Sequence, residues 1–436
     1  MLGIRRRLLE REALGKPIQV SIIGAGQMGR GMVSQTMLMK GMIPSVVVDI
    51  NLEAAKNALL NANVPEGEIK VAKTIAEAND YLRAGKYVVT EDHTIATGND
   101  VVTTVVDATG VTEIGARIAV DSIAAKKHIV MLNVEADVVV GPLLYKKAQE
   151  AGVIYTGSAG DEPGAVMELY DFADSLGFDV RVIGKGKNNK VDLTSNPDSV
   201  VEEAKSKSMN PKMLTAFKDG TKTMVEMTAM SNATGYLPDV LNGHGHHATV
   251  SELPGLYRLQ SEGGILSNYG VVDYINGVAP GVYVIVSSPL PEVHHEMKYL
   301  SMGDGPNYVL FRPYHLCSLE TPMSVARLEL FGEPTIVPMA GAPYSETVTL
   351  AKKDMKAGEY LDGIGAYTVY GGFYPFKEAQ AKRALPLGLV NKKTRLKADV
   401  QPGQLITYDM VELDESSFIY QLRKEQDELL AKGQLL

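Results

Sequence analysis

At 436 residues the chain exceeds what one hydrophobic core serves, so two or three domains are expected. A net charge of −9 sets it against nucleic acid and anionic membranes, whose phosphates it would repel, and leaves a small-molecule substrate as the expected partner. The single cysteine, Cys317, rules out an intramolecular disulfide framework and reads as a small packing residue; with no apolar run near membrane-span length, a soluble cytoplasmic protein is expected.

Residues 2–14 carry Leu2, Leu8, Leu9 and Leu14 among charges and predict a short amphipathic helix. The next stretch, Val20–Gly31, is an apolar strand that runs into Gly24-Ala25-Gly26-Gln27-Met28-Gly29 and then into a helical pattern. That is the dinucleotide-binding fingerprint in its required context. Gly24 permits the tight turn, Gly26 lets the backbone approach a pyrophosphate, and Gly29 lets the helix pack close on the strand. A second strand, Ser45–Val48, ends in Asp49, whose carboxylate suits ribose hydroxyls and would repel a 2′-phosphate. NAD(H) is therefore expected over NADP(H).

Helices over Leu52–Asn61 and Ile75–Ala84, a strand over Val101–Ala108, a helix over Ile114–Ala125 and a strand over His128–Leu132 continue the alternation. Such alternation means a parallel sheet with its ligand across the carboxyl ends of the strands, where Asp107, Thr109 and Gly110 fall. Asn133-Val134-Glu135-Ala136-Asp137 stands where a reacting group would meet a nicotinamide. It equally suits helix capping by Asn133 with Glu135 in the first turn. A helix near Pro142–Ala151 and a strand over Val153–Thr156 lead to Gly157-Ser158-Ala159-Gly160-Asp161-Glu162-Pro163-Gly164. Asp161 and Glu162 would lie at the mouth of a helix Ala165–Leu176, as metal ligands or proton carriers, or as mere complements of the helix dipole.

A strand Phe178–Ile183 then runs into Gly184-Lys185-Gly186-Lys187-Asn188-Asn189, read as a loop of donors for a phosphate, carboxylate or oxyanion, or as a solvated basic turn. A helical stretch, Asp219–Gly235, sets Glu226 among Met224, Met227 and Met230. In the loop Gly243–His247, His244 reads as a substrate contact or an ordinary loop residue rather than a metal ligand. Arg312 and His315 either grip an anionic substrate group or tie the following helix, Ser324–Leu330, to the nucleotide fold. Gly332–Pro343 reads as a linker. Beyond it Lys353–Leu361 returns as Ala398–Ile406, pairing Asp354 with Asp399 and Gly358 with Gly403, which predicts a small β module over Thr347–Leu413; a helix Phe418–Lys432 closes the chain.

The set IIGAGQMG, VVDATG, MLNVEADVVVGP, AGDEP, GKGKNN, DGTKTMVEM, NATG and RPYHL, with the C-terminal repeat, resembles oxidoreductases that are homoserine-dehydrogenase-like and carry a C-terminal SAF (antifreeze-like) domain. Among characterised relatives it is similar to the 1-deoxy-D-xylulose 5-phosphate reductoisomerase-like family. The resemblance implies an α/β fold: an N-terminal Rossmann domain over 1–157, an inserted α+β substrate and dimerisation domain over 158–310, a helix returning to the Rossmann domain and a linker over 311–342, and a small β SAF-like (β-clip) module with the C-terminal helix over 343–436. It further implies a homodimer or higher homo-oligomer and nicotinamide-dependent chemistry on a small polyhydroxylated, phosphorylated or acidic carbonyl or alcohol, with Mg2+ or Mn2+ as the metal. Asn133, Glu135, Asp161, Glu162, Lys185, Lys187, Asn188 and Asn189 match its pocket-forming motifs. Lys185, Lys187, Asp161, Glu162 and Glu135 are then the catalytic set, with Asp161 and Glu162 as metal ligands. Asn188, Asn189, Glu226, His244, Arg312 and His315 are the substrate-binding set, and Gly24, Gly26, Gln27, Met28, Gly29, Asp49, Thr109, Gly110 and Asn133 hold the cofactor. The alternatives are a homoserine-dehydrogenase-like or hydroxy-acid dehydrogenase, against which Glu135 stands where the former carries Lys, and a non-catalytic nucleotide-sensing protein.

Overall fold

The computed structural model describes residues 3–207 and 209–436, so Leu2 of the expected first helix lies outside the described residues. Contacts divide the chain into two units, Met1–Gly164 with Leu316–Val337 and Ser417–Leu436, and Ala165–His315 with Pro338–Ser416. Among the described residues no helix is long and apolar enough to cross a membrane.

The first unit opens with α1 (Ile4–Ala13), which buries Ile4 and Leu8 but leaves Leu14, beyond its end, 70% exposed. The chain then alternates through β1 (Ile18–Ile23), α2 (Gln27–Leu38), β2 (Met42–Val48), α3 (Leu52–Asn61), β3 (Ile69–Val71), α4 (Ile75–Arg83), β4 (Tyr87–Thr90), α5 (His93–Gly98), β5 (Thr104–Asp107), α6 (Thr112–Ala124), β6 (His128–Met131), α7 (Val134–Ala151) and β7 (Tyr155–Gly157). The seven strands are parallel, in the order β3-β4-β2-β1-β5-β6-β7. Without the edge strand β3 this is the strand order of the doubly wound dinucleotide fold, and its direction reverses between β1 and β5. The central strands are almost continuously apolar because helices cover both faces. The expected strand over Val101–Ala108 is shorter, and β4 with α5 is an additional unit.

Helix α7 departs most from expectation, starting at Val134 rather than near Pro142. The Asn133 side chain accepts the Ala136 N–H at 3.2 Å and caps the helix eight residues early in the reading of Pro142 as a start. Pro142 lies inside the helix instead.

Helix α8 (Glu162–Ser175) leads into the second unit, whose sheet has the order β11-β10-β8-β9. Its strands are β8 (Asp179–Lys187), β9 (Val271–Asn276), β10 (Val282–Ser287) and β11 (Tyr308–Arg312); β8 and β9 are parallel, and β10 is antiparallel to both β8 and β11. Around them are α9 (Val201–Ser206), α10 (Pro211–Lys218), α11 (Thr221–Thr234), α12 (Leu253–Leu256) and α13 (Pro291–Tyr299). Ile183, Val272 and Val284 turn one sheet face to Met224, Met227 and Met230 of α11 and to Ala165 and Val166 of α8. Val182, Val271 and Ile285 turn the other face to Leu253, Tyr257 and Leu266. The alternation of strand side chains thus feeds two cores from one sheet.

Helix α14 (Thr321–Phe331) belongs to the first unit, where Val325, Ala326 and Leu328 join its core. The expected linker is partly docked: the Ile336 carbonyl accepts the Gly157 N–H at 2.9 Å, extending the edge at β7. The last segments are β12 (Ser345–Ala351), β13 (Val369–Pro375), α15 (Phe376–Ala381), β14 (Arg395–Leu396), β15 (Val411–Glu412) and α16 (Phe418–Ala431). The internal repeat is a real pseudo-symmetry. The Gly358 N–H bonds to the Leu396 carbonyl at 2.7 Å and the equivalent Gly403 N–H to the Ala351 carbonyl at 2.8 Å, while Met355 and Val400 exchange both backbone bonds. The small core expected for this module is present, in Val348, Tyr374, Ala379 and Ala384 with Leu405 against them. The module is not separate, however: Phe373 enters the core of Met224, Met227 and Met230, and Thr347 and Ser345 meet Thr228 and Ser231 of α11 at 2.8 and 2.6 Å. The closing helix also differs from expectation: α16 packs on α6 and α7, in the first unit.

Candidate functional site

Two close approaches and one open position shape the dinucleotide loop. Gly24 stands at φ +101°, and a Cβ there would come 2.8 Å from the Ala108 carbonyl oxygen, so the turn after β1 passes the end of β5 only as glycine. A Cβ on Gly29 would come 1.7 Å from the Gly24 carbonyl oxygen, which is the helix-to-strand contact the third fingerprint glycine serves. Over Gly26 a Cβ would meet nothing within 4 Å. The space above the start of α2 is open there, and Gly26 as N-cap brings no side-chain bond to the first turn, Gln27 and Met28. An anion is the natural acceptor for those N–H groups. Behind them the Cys317 Sγ lies 3.7 Å from the Met28 Sδ, a packing role for the lone cysteine. At the end of β2 one oxygen of Asp49 accepts the Ala25 N–H at 2.7 Å and the other the Asn51 N–H at 2.8 Å. The carboxylate is fixed beside the glycines and keeps a further lone pair on each oxygen.

A second network joins the ends of β5 and β6. Asp107, fully buried, accepts the Thr109 N–H at 2.9 Å and hydroxyl at 2.7 Å on one oxygen and the Asn133 amide at 3.0 Å on the other. The Asn133 amide also donates to the Val111 carbonyl at 3.0 Å. Gly115 leaves the room, since a Cβ there would come 2.4 Å from the Asn133 amide nitrogen. Burial pushes Asp107 up to about 6 against these bonds. Asp137, in the first turn of α7, is likewise pushed up to about 6 by burial and accepts the Tyr155 hydroxyl at 2.6 Å. Asn133 is thus both cap and loop residue; Glu135 lies half-buried in the first turn of α7, and Gly110 follows Thr109 at φ +64°. The Asp137–Tyr155 pair was not anticipated, although Asp137 stood in the NVEAD motif.

Asp161 and Glu162 sit at the start of α8, Asp161 only 4% exposed, with their carboxylate oxygens within 4.8 Å of each other.

In the second unit β8 continues through Lys187, so Gly184–Lys187 is strand and not the expected loop. The glycines explain it. A Cβ on Gly184 would come 2.4 Å from the Tyr283 hydroxyl, and one on Gly186 2.4 Å from the Ala279 nitrogen, so neighbours close on one face while the strand period sends Lys185 and Lys187 to the other. Both lysines are buried, at 4% and 7% exposure, which corrects the reading as a solvated turn. The Lys185 ammonium is ion-paired and hydrogen-bonded to Glu226, itself inaccessible on α11. Lys187 donates to the Phe217 carbonyl at 2.7 Å. Asn188, beyond the strand, is exposed, and Asn189 is half-buried.

The family model described as "Oxidoreductase DRL, catalytic domain" matches residues 160–321, the span that holds Asp161, Glu162, Lys185, Lys187 and Glu226. The protein is an oxidoreductase. No curated protein matches the chain. Among solved structures it is similar to a myo-inositol dehydrogenase from Corynebacterium glutamicum, at 8% identity and a TM-score of 0.41 over 74% of this chain and 90% of the other. It is also similar to a probable dehydrogenase from Thermotoga maritima, at 13% identity and a TM-score of 0.39 over 73% and 90%. A third is the scyllo-inositol dehydrogenase from Lactobacillus casei with bound NAD(H) and scyllo-inositol, at 14% identity and a TM-score of 0.37 over 62% and 74%. At such TM-scores these likenesses fix neither substrate nor cofactor.

The remaining candidates of the oxidoreductase are engaged locally. The His244 Nε2 meets the Asp239 carboxylate at 2.8 Å, its ring stacks on His246 at 5.8 Å, and its N–H donates to Asp273 at 2.8 Å. Its ring is committed within its own loop. Arg312 reaches Glu168 at 3.2 Å and lies 4.6 Å over the Tyr314 ring, and His315 is half-buried three residues further on. The oxidoreductase also holds a buried pair that sequence reading missed, Lys352 with Asp219 at 2.7 Å. An acid opening the DGTKTMVEM stretch was its only signal.

Proposed function

We propose that this oxidoreductase is nicotinamide-dependent, prefers NAD(H), and acts on a small polyhydroxylated carbonyl or alcohol that is phosphorylated or acidic. The observation that carries the reading is the buried Lys185–Glu226 pair inside the matched catalytic span. Bound NAD(H) supplies a hydride donor or acceptor at C4 of its ring. The glycines and the start of α2 would hold its pyrophosphate, Asp49 its ribose hydroxyls, and Thr109 and Asn133 would complete the cofactor site. Lys185 donates a hydrogen bond to the carbonyl oxygen as negative charge grows on it and passes its proton to the alkoxide that hydride addition leaves, taking it back in the oxidative direction, while the Glu226 carboxylate orients the ammonium.

Asp161 and Glu162 are the residues that would hold Mg2+ or Mn2+, hard cations matched to carboxylate oxygens. A metal there would polarise the substrate oxygen. The test is turnover of NAD(H) with a panel of sugar phosphates, polyols, hydroxy acids and amino alcohols, with and without added Mg2+. A reading of NADH binding without turnover on any member would favour a nucleotide-sensing role and overturn the proposal.

A further inference from the structure

The parallel pair β8 and β9 ends in a row of three polar side chains that no part of the proposed chemistry uses together. Lys187 is in register with Asn276, and Asn276 is bridged in turn by His247, through Ala248 N–H to the Asn276 carbonyl at 3.1 Å and Asn276 N–H to the His246 carbonyl at 2.9 Å. Residues in register across a parallel ladder point to one face. Lys187 alternates with Gly186 onto the face of Lys185, and Asn276 shares the face of Tyr274, two positions earlier. Ala248 belongs to the opposite core, which sends His247 to the same side as Lys187. The row therefore leads outward from the buried Lys185–Glu226 pair, through buried Lys187 and half-buried Asn276, to exposed His247.

Two features hold the outer end in place. The Asn276 amide donates to the Gly245 carbonyl at 2.8 Å, which orients its head group. Gly277 stands at φ +107°, and a Cβ there would come 3.2 Å from the His247 Nε2, so the ring rests against backbone that only glycine leaves bare. His244, the histidine singled out from sequence, is occupied by Asp239. Glu252 is the acid that faces His247, and its carboxylate is already taken by the Thr249 N–H and hydroxyl, both at 2.7 Å.

We infer that Lys187, Asn276 and His247 form the subsite for the anionic end of the substrate, a phosphate or a carboxylate, with the reacting carbon lying toward Lys185. An ammonium, a primary amide and an imidazole in line offer N–H donors from three side chains, which is what an oxyanion group needs and a neutral hydroxyl chain does not. The inference rests on the proposed function for the position of the reacting carbon. It deepens that reading by naming His247, not His244, as the residue that senses the anion.

The test follows the histidine ring resonances of the full chain by NMR during titration with inorganic phosphate and, separately, acetate, with NADH binding measured by fluorescence on the same samples. The His247 resonance is expected to shift saturably with phosphate, with acetate or with both, the pattern naming the group, while His244 stays put. Lys187→Met should weaken the effect at least about fivefold; Asn276→Asp, which places a like charge in the row at the strand end, should abolish it and serves where Lys187→Met fails to fold. No saturable shift at His247, or a shift unchanged in both variants, overturns the subsite. Loss of NADH binding with the His247 shift intact would instead overturn the nicotinamide reading alone.

Discussion

Lys185 and Glu226 face each other with side-chain exposures of 6% and 1%, a pair of opposite charges withdrawn from water. Replacing such a pair by apolar residues of similar volume is often neutral or stabilising, so stability is a weak reason for keeping it. Chemistry at the pair is a better one.

Removing one partner should therefore separate the two roles. Lys185→Met or Glu226→Gln is expected to destabilise the fold by about 3–5 kcal/mol, because the remaining buried group loses its opposite charge. Lys185→Met with Glu226→Leu should recover much of that stability while turnover stays down by about 10²–10³-fold. Urea unfolding and steady-state rates on the same three proteins check this. Recovery of rate together with stability would assign the pair to structure only.

The proposed preference for NAD(H) turns on Asp49. A 2′-phosphate about 4 Å away would face like charge worth about 4 kcal/mol per unit pair at an effective dielectric of 20, before water and ions relieve it. Asp49→Ser should raise kcat/KM for NADPH relative to NADH by at least about tenfold. The substitution also removes the acceptor of the Ala25 N–H, so NADH affinity should fall as well. Equal efficiency with both cofactors in the unaltered protein would contradict the role given to this carboxylate.

Asp107 ties stability to pH. Its folded value of about 6 lies above the ordinary 3.8, so the folded chain holds a proton that the unfolded chain has released between the two. The sign is that of a raised group: its contribution is complete below the unfolded value and is lost as pH rises through about 6. One such carboxyl corresponds to about 3 kcal/mol over that window, and Asp137 adds a term of the same sign. Asp107→Asn should flatten the fall in thermal stability between about pH 4 and about pH 7. An unchanged slope in the variant would place the titration elsewhere.

Pro142 interrupts the hydrogen-bond ladder of α7, and Gln426 of α16 fills the gap. Its side-chain oxygen accepts the Leu143 N–H and its amide donates to the Val139 carbonyl, each at 3.1 Å, so one side chain takes the place of the bond those two groups would make in an unbroken helix. Gln426→Leu should destabilise the first unit by about 1–3 kcal/mol through the Leu143 N–H it leaves unpaired, since the Val139 carbonyl still accepts from Arg423 at 3.3 Å. Because α7 is capped by Asn133, KM for NADH should rise more than kcat falls. Glu425→Gln, which loses a half-exposed pair with Lys147, should change stability by less than about 1 kcal/mol.

Sequence reading reached the parts whose physics is local. The glycine fingerprint, the strand-end acid Asp49 and the Asn133 cap each declare themselves within a few residues, and the pairing of Gly358 with Gly403 survives as a pseudo-symmetric pair of turns. It missed what depends on partners far along the chain. Pro142 reads as a helix start unless Gln426 is known to fill the gap behind it. Gly184 and Gly186 read as loop until Tyr283 and Ala279 are seen to press on them, and only that pressure makes a strand that buries two lysines. The β module looked separable because nothing in its own sequence shows that Phe373 lies against the methionines of α11.

The proposed role of the buried Lys185–Glu226 pair in nicotinamide-dependent redox chemistry is tested most directly by NADH oxidation by the full chain across phosphorylated and acidic carbonyl substrates, with Lys185→Met run alongside at saturating NADH. Turnover is expected with at least one member of the panel, with a fall of about 10²–10³-fold in kcat for the variant, whose NADH affinity is unchanged. Turnover that Lys185→Met leaves within about tenfold of the unaltered rate would contradict it.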